Sequence, residues 1–213
     1  MDPAPATCPS LVKKETPAIE KKEERVPASV EAVAEEKGKV VGALAVVKGS
    51  VTIKDPNGNI VQLKEGSPIR AKDVIETSSS GQTQLKFNDG NIVHMREGSQ
   101  VKIEEYDVED KPDKKAVLDL LRGKIRNQVM KKYDGKQSKY EVRTKAAVAG
   151  VRGTDFIVSW MDGEKDITRI DTLSGEVKLK GRVDADGEEA SIKQNQSISY
   201  VVDGPSEVLA DRA

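Results

Sequence analysis

From Val40 onward, apolar and polar residues alternate in short runs. The pattern is plain in Val51/Ile53, Val61/Leu63, Leu85/Phe87, Val93/Met95 and Val101/Ile103, and it returns in Phe156/Val158/Trp160, Val177/Leu179 and Ile198/Tyr200/Val202. Period-two runs of about four to eight residues, bounded by Gly, Asn and Asp, predict strands joined by hairpins. Asn57-Gly58, Asp89-Gly90 and Asp186-Gly187 supply residues that tolerate the positive φ of tight turns. The expectation is an all-β domain over residues 39–203, followed by a C-terminal tail, 204–213.

The strands repeat. Gly49–Ser67 aligns without gaps on Gly81–Ser99 at an offset of 32, with nine of 19 positions identical. A weaker third copy begins at Gly175-Glu176-Val177 and resumes at Asp186-Gly187. The unit is strand, turn, strand and a Glu-Gly-Ser corner, and such units bury their apolar faces by stacking on one another. A short β-solenoid and a pseudo-symmetric β-sandwich satisfy this equally.

One stretch admits two readings. Val117, Leu121, Ile125 and Val129 recur every four residues behind Asp113, a possible N-cap, which is a helical pattern. Against it stands Gly123, because a glycine inside a helix costs about 1 kcal/mol relative to alanine. The alternative places strands at Ala116–Leu121 and Lys124–Met130 around a glycine turn.

Composition narrows the function. Residues 1–38 hold five of the nine prolines, no aromatic residue and many charges, and read as a disordered tail or linker with a transient helix over Ser29–Lys37. The 213 residues carry 35 Lys plus Arg against 36 Asp plus Glu, a net charge of −1 that argues against a nucleic-acid partner. No apolar run approaches the roughly 20 residues of a membrane-spanning helix. Met1-Asp2-Pro3 lacks the basic and apolar regions of a secretory signal, so the chain is read as cytosolic or as numbered within a processed form. The single cysteine, Cys8, excludes an internal disulfide, and without a preceding apolar run it is read as a lone thiol rather than a lipid-attachment site.

The single histidine excludes a His-rich zinc site and weakens any triad. His94 alternates with Val93 and Met95, and its counterpart in the repeat is Gln62, which suits a surface role. The acidic groups Glu104/Glu105, Asp107, Glu109/Asp110 and Glu188/Glu189 fall in polar segments and read as solvated, and no EF-hand spacing is present. Aromatic residues make up only 3 % of the chain, few for a stacking groove. No cofactor, metal or enzymatic activity is expected.

The most distinctive segment is Tyr140–Val158. Residues 146–150 are small, Gly150 and Gly153 permit turn angles barred to other residues, and Arg152 lies between glycines beside apolar strands. A guanidinium buried there needs carbonyl or carboxylate partners, and Thr154 and Asp155 are the nearest candidates. Gly150, Arg152, Gly153, Thr154 and Asp155 are therefore expected to form a structural staple, in preference to a clamp on a partner's carboxylate. On the staple reading, removing the Arg152 side chain costs several kcal/mol.

The run Ala147-Val148-Ala149-Gly150-Val151-Arg152-Gly153-Thr154-Asp155-Phe156 resembles the signature of the FecR-domain family. Further landmarks are Gly49-Ser50-Val51, Gly66 through Ile75-Glu76-Thr77, Leu85 through Asp89-Gly90, Leu120-Leu121-Arg122-Gly123-Lys124 and Leu173-Ser174-Gly175-Glu176-Val177, together spanning roughly residues 40–202. The resemblance implies an all-β extracytoplasmic domain and favours strands around Gly123. Members of that family often couple an outer-membrane signal to a sigma factor through a cytoplasmic anti-sigma segment and a membrane helix. This chain shows neither, and is closer to stand-alone members of the cell envelope. The resemblance thus implies a non-catalytic binding, signalling or scaffold module, periplasmic or envelope-located, that recognises an envelope protein. The alternative is a module that binds cell-wall glycan or another polysaccharide.

Overall fold

The computed structural model describes residues 39–107, 113–130, 133, 138–161, 166–182 and 189–201, all within a compact unit, Lys37–Ala213. The two tails, Cys8, the stretch Ser29–Lys37, the Asp186-Gly187 turn, Glu188 and the acidic loop at 109–112 lie outside the described residues.

Among the described residues every regular element is a strand. In chain order they are β1 (Val40–Lys48), β2 (Val51–Lys54), β3 (Ile60–Gln62), β4 (Pro68–Arg70), β5 (Val74–Thr77), β6 (Gln82–Phe87), β7 (Ile92–Met95) and β8 (Gln100–Asp107). The long β9 (Lys115–Gln128) leads into β10 (Lys139–Arg143), β11 (Ala147–Val151), β12 (Asp155–Met161), β13 (Ile167–Ser174), β14 (Glu176–Gly181), β15 (Ala190–Lys193) and β16 (Ser197–Val201). No helix among the described residues is long and apolar enough to cross a membrane.

These strands form one mixed sheet, in which β9–β10 is the parallel pair. The sheet divides at β9. Its N-terminal half pairs with β8 and β10, and this limb runs β3-β2-β5-β8-β9-β10-β11-β14-β15. Its C-terminal half pairs with β7 and β12, and the second limb runs β4-β1-β6-β7-β9-β12-β13-β16. The chain crosses repeatedly between limbs, and their buried faces supply a single hydrophobic cluster. The sheet does not close, because β3, β15, β4 and β16 each have a neighbour on one side only.

Alternation is the cause. In β6, Thr83, Leu85 and Phe87 are buried while Gln82, Gln84 and Lys86 face outward, as a period-two strand with one apolar face requires. The helical reading of 117–129 is thereby corrected. It would bury Leu121, which is 40 % exposed, whereas the strand buries Leu118, Leu120, Ile125 and Asn127. The two strands expected around Gly123 are one strand, kinked at that residue. Gly123 has φ +90°, and a Cβ there would lie 2.6 Å from the Ser99 Cα, so glycine alone fits the change of limb.

The aligned segments Gly49–Ser67 and Gly81–Ser99 both form hairpins. Thr52↔Gln62, Ile53↔Val61 and Lys54↔Ile60 in the first match Gln84↔His94, Leu85↔Val93 and Lys86↔Ile92 in the second, each shifted by 32. One hairpin lies in each limb. Their turns carry Gly58 at φ +88° and Gly90 at φ +90°.

Candidate functional site

The signature segment is a crossing between limbs. β11 ends the stretch in one limb, residues 152–154 turn, and β12 begins in the other. Gly153 sits at φ +122°, a left-handed conformation that disfavours a side chain. Thr154 is buried. Its hydroxyl donates to the Glu176 carbonyl at 3.0 Å, and its own carbonyl accepts from the Val129 amide at 3.0 Å. Asp155 is gripped from the side by Arg126 on β9, whose Nε and Nη2 donate to the two carboxylate oxygens at 2.9 and 2.6 Å. This bidentate guanidinium, with help from Gln128, holds Asp155 below the ordinary carboxylate range.

Arg152 does not occupy the place expected of it. Its side chain is exposed and makes no hydrogen bond or ion pair among the described residues, so the buried-guanidinium expectation is corrected. The strand period explains this. Val151 points into the core, and the next residue therefore points out. A staple exists at this corner, but its cation is Arg126. Nothing in the sequence spacing marks Arg126, because only the β9–β12 register brings it to Asp155.

Outward from the corner, the first limb carries a trough along β11. Ala147, Ala149 and Val151 face the core, leaving Val148 and Gly150 as its floor. Gly150 has no positive φ, and a Cβ there would meet nothing nearer than the Lys178 carbonyl at 3.9 Å. The backbone would accept a side chain, so the consequence of glycine here is open space. The flanking strands present long charged residues, Glu141 and Arg143 from β10, and Lys178 and Lys180 from β14. Two adjoining depressions of about 400 and 440 Å³ share Glu141, Gly150 and Lys178. Together they are lined by six basic residues (Lys139, Arg143, Arg152, Lys178, Lys180, Arg182) against three acidic ones (Glu141, Glu176, Glu189).

Other polar contacts among the described residues serve the fold. Buried Asp89 accepts from the hydroxyls of Tyr106 at 2.9 Å and Tyr133 at 3.0 Å, and from the Asn91 side chain at 2.6 Å. Burial raises both phenols well above their usual range, so they act as neutral donors. On the outer face of the second limb, His94 Nε2 lies 3.1 Å from Gln128 Oε1, a plain surface contact. Glu104 is paired with Lys102 and Lys72, which hold it down to about 2. Among the described residues no group of three or more His, Cys, Asp or Glu is placed to hold a metal ion.

All seven aromatic side chains point inward. Phe87, Tyr106, Tyr133, Tyr140 and Phe156 are buried in the core cluster, and Trp160 and Tyr200 pack against it. The trough therefore has no ring on which a sugar or base could stack.

Residues 73–178 match the family model described as FecR protein. That span contains the Asp89-Gly90 turn, Leu120–Lys124 and the whole signature segment, while Gly49-Ser50-Val51 falls outside it. No curated protein matches the chain. Two crystal structures of a candidate anti-sigma factor from Parabacteroides distasonis ATCC 8503 are similar in fold. One is 18 % identical with a TM-score of 0.53 and the other 20 % identical with a TM-score of 0.52, each match covering 66 % of this chain and 60 % of the neighbour. The chain thus spans about three fifths of the length of those neighbours. A cell surface anchoring domain, 34 % identical over 30 % of this chain and 86 % of its own, superposes with a TM-score of 0.30.

Proposed function

The chain belongs to the FecR protein family, and from that premise we propose that it is a non-catalytic signalling or scaffold module of the cell envelope that recognises a protein partner. The observation that carries the reading is the division of labour among its side chains. Every aromatic ring is committed to the core, whereas a charged trough with uncommitted cations is presented outward. Glycan recognition generally relies on exposed rings, and Trp160, the residue on which such a reading would rest, packs against the core with its indole N–H buried. Protein recognition by charged strands requires no such platform.

In this reading Arg152 is a partner contact, and Gly153, Thr154 and Asp155 fix the corner that presents it. The architecture is a pseudo-symmetric sandwich, supported by the matching hairpins in the two limbs and their common core. The test is a pull-down from envelope extracts with the full chain as bait, scored by mass spectrometry. Enrichment of one envelope protein is expected. Recovery of cell-wall fragments, or of nothing, would overturn the reading.

A further inference from the structure

Within the trough, the carboxylates are already engaged. Glu141 is held by Arg143 at 2.7 Å and by Lys139 at 3.4 Å, Glu189 by Lys178 at 2.8 Å, and Glu176 accepts from the Ser191 hydroxyl. Arg182 donates to the Thr144 carbonyl at 3.0 Å. That leaves Arg152 and Lys180, both exposed and both without a hydrogen bond or ion pair among the described residues. The β11–β14 register sets their separation. Lys180 lies opposite Val148, and Arg152 follows Val148 by four residues, immediately past the end of β11 at Val151. At about 3.3 Å of rise per residue, the backbone positions of the two cations stand about 13 Å apart along the strand direction, one toward each end of the trough.

We infer that the trough binds an extended acidic peptide segment, laid along β11, whose carboxylates are four residues apart. In an extended chain, residues i and i+4 lie on one face at that same spacing, so each meets one free cation. A residue midway at i+2 faces Gly150, where the missing side chain leaves room for it. The inference rests on the protein-binding reading above and specifies the chemistry of the partner.

The experiment is a fluorescence-anisotropy titration of the full chain. The probe is a labelled peptide of alternating Thr and Ser with two aspartates four positions apart. One control places the aspartates two positions apart, and another replaces both with asparagine. The first peptide should bind tightest, and binding should weaken with salt. Arg152→Ala and Lys180→Ala should each weaken it about fivefold. Neither residue has a partner to lose, so both variants should melt with wild type. Arg152→Glu should prefer a peptide carrying lysine in place of the matching aspartate. Equal affinity for the two aspartate spacings, or an unchanged Kd in both alanine variants, would overturn the inference. So would tighter binding to phosphatidylglycerol vesicles or to a sulfated glycan than to any peptide. An envelope protein captured equally by wild type and by the Arg152→Ala, Lys180→Ala double variant would overturn it too, while leaving the protein-binding reading in place.

Discussion

At the scale of single residues, two arginines exchange the roles that sequence suggests for them. Arg152 stands between glycines in the signature segment, yet it is exposed, whereas Arg126, which no motif marks, grips Asp155. Arg152→Ala should therefore melt within about a degree of wild type. Arg126→Ala should lose about 1 kcal/mol, the upper end for a partly exposed pair, because its geometry is bidentate. Thermal denaturation of both variants checks this, and the opposite ranking would restore Arg152 as the staple. Asp89→Ala should cost more, about 2–4 kcal/mol, since it strands two buried phenol donors. Glu104 gives a pH prediction. Its folded-state pKa is lowered from 4.5 to about 2 by Lys102 and Lys72, so the stability it contributes is present above the unfolded value and lost as pH falls through the folded one. Glu104→Gln should be less stable than wild type at pH 7, and the gap should close between about pH 4.5 and 2. Denaturant midpoints across that range measure it.

At the scale of elements, the strands were legible because their apolar residues alternate and their turns contain Asn-Gly and Asp-Gly. The limits of this legibility are physical. In β8, alternation from Val101 and Ile103 would turn Glu105 inward, but a bulge between Ile103 and Glu105 resets the phase and buries Tyr106 against Phe87, ring on ring at 4.1 Å. In β9, the four-residue spacing imitates a helix because the strand changes limb midway, where Gly123 shifts the phase of its buried face. Gly123→Ala combines a positive φ with backbone overlap and should destabilise by about 3 kcal/mol or more. Wild-type stability in that variant would show that the kink tolerates a side chain. Of the candidate site, sequence singled out the small residues of β11 and Arg152, the latter as a buried staple rather than an exposed cation, and the trough needs β10 and β14 as neighbours. That pairing depends on strand order, which local pattern does not encode.

At the scale of the whole molecule, the two limbs share β9 and one hydrophobic cluster, so neither has a core of its own. Denaturant unfolding should then be a single transition, with far-ultraviolet and near-ultraviolet circular dichroism tracing one curve. Two separated transitions would mean that the limbs fold independently. The outer surfaces are free to differ in function, and the trough distinguishes the first limb from the second. The most direct test of the account is site-specific photocrosslinking in the cells that make the protein, with a photoreactive residue replacing Val148 on the floor of the trough or Arg169 on the outer face of the second limb. The account predicts a crosslink to one envelope protein from position 148 and none from position 169. A crosslink from 169 alone, or from neither, would contradict it.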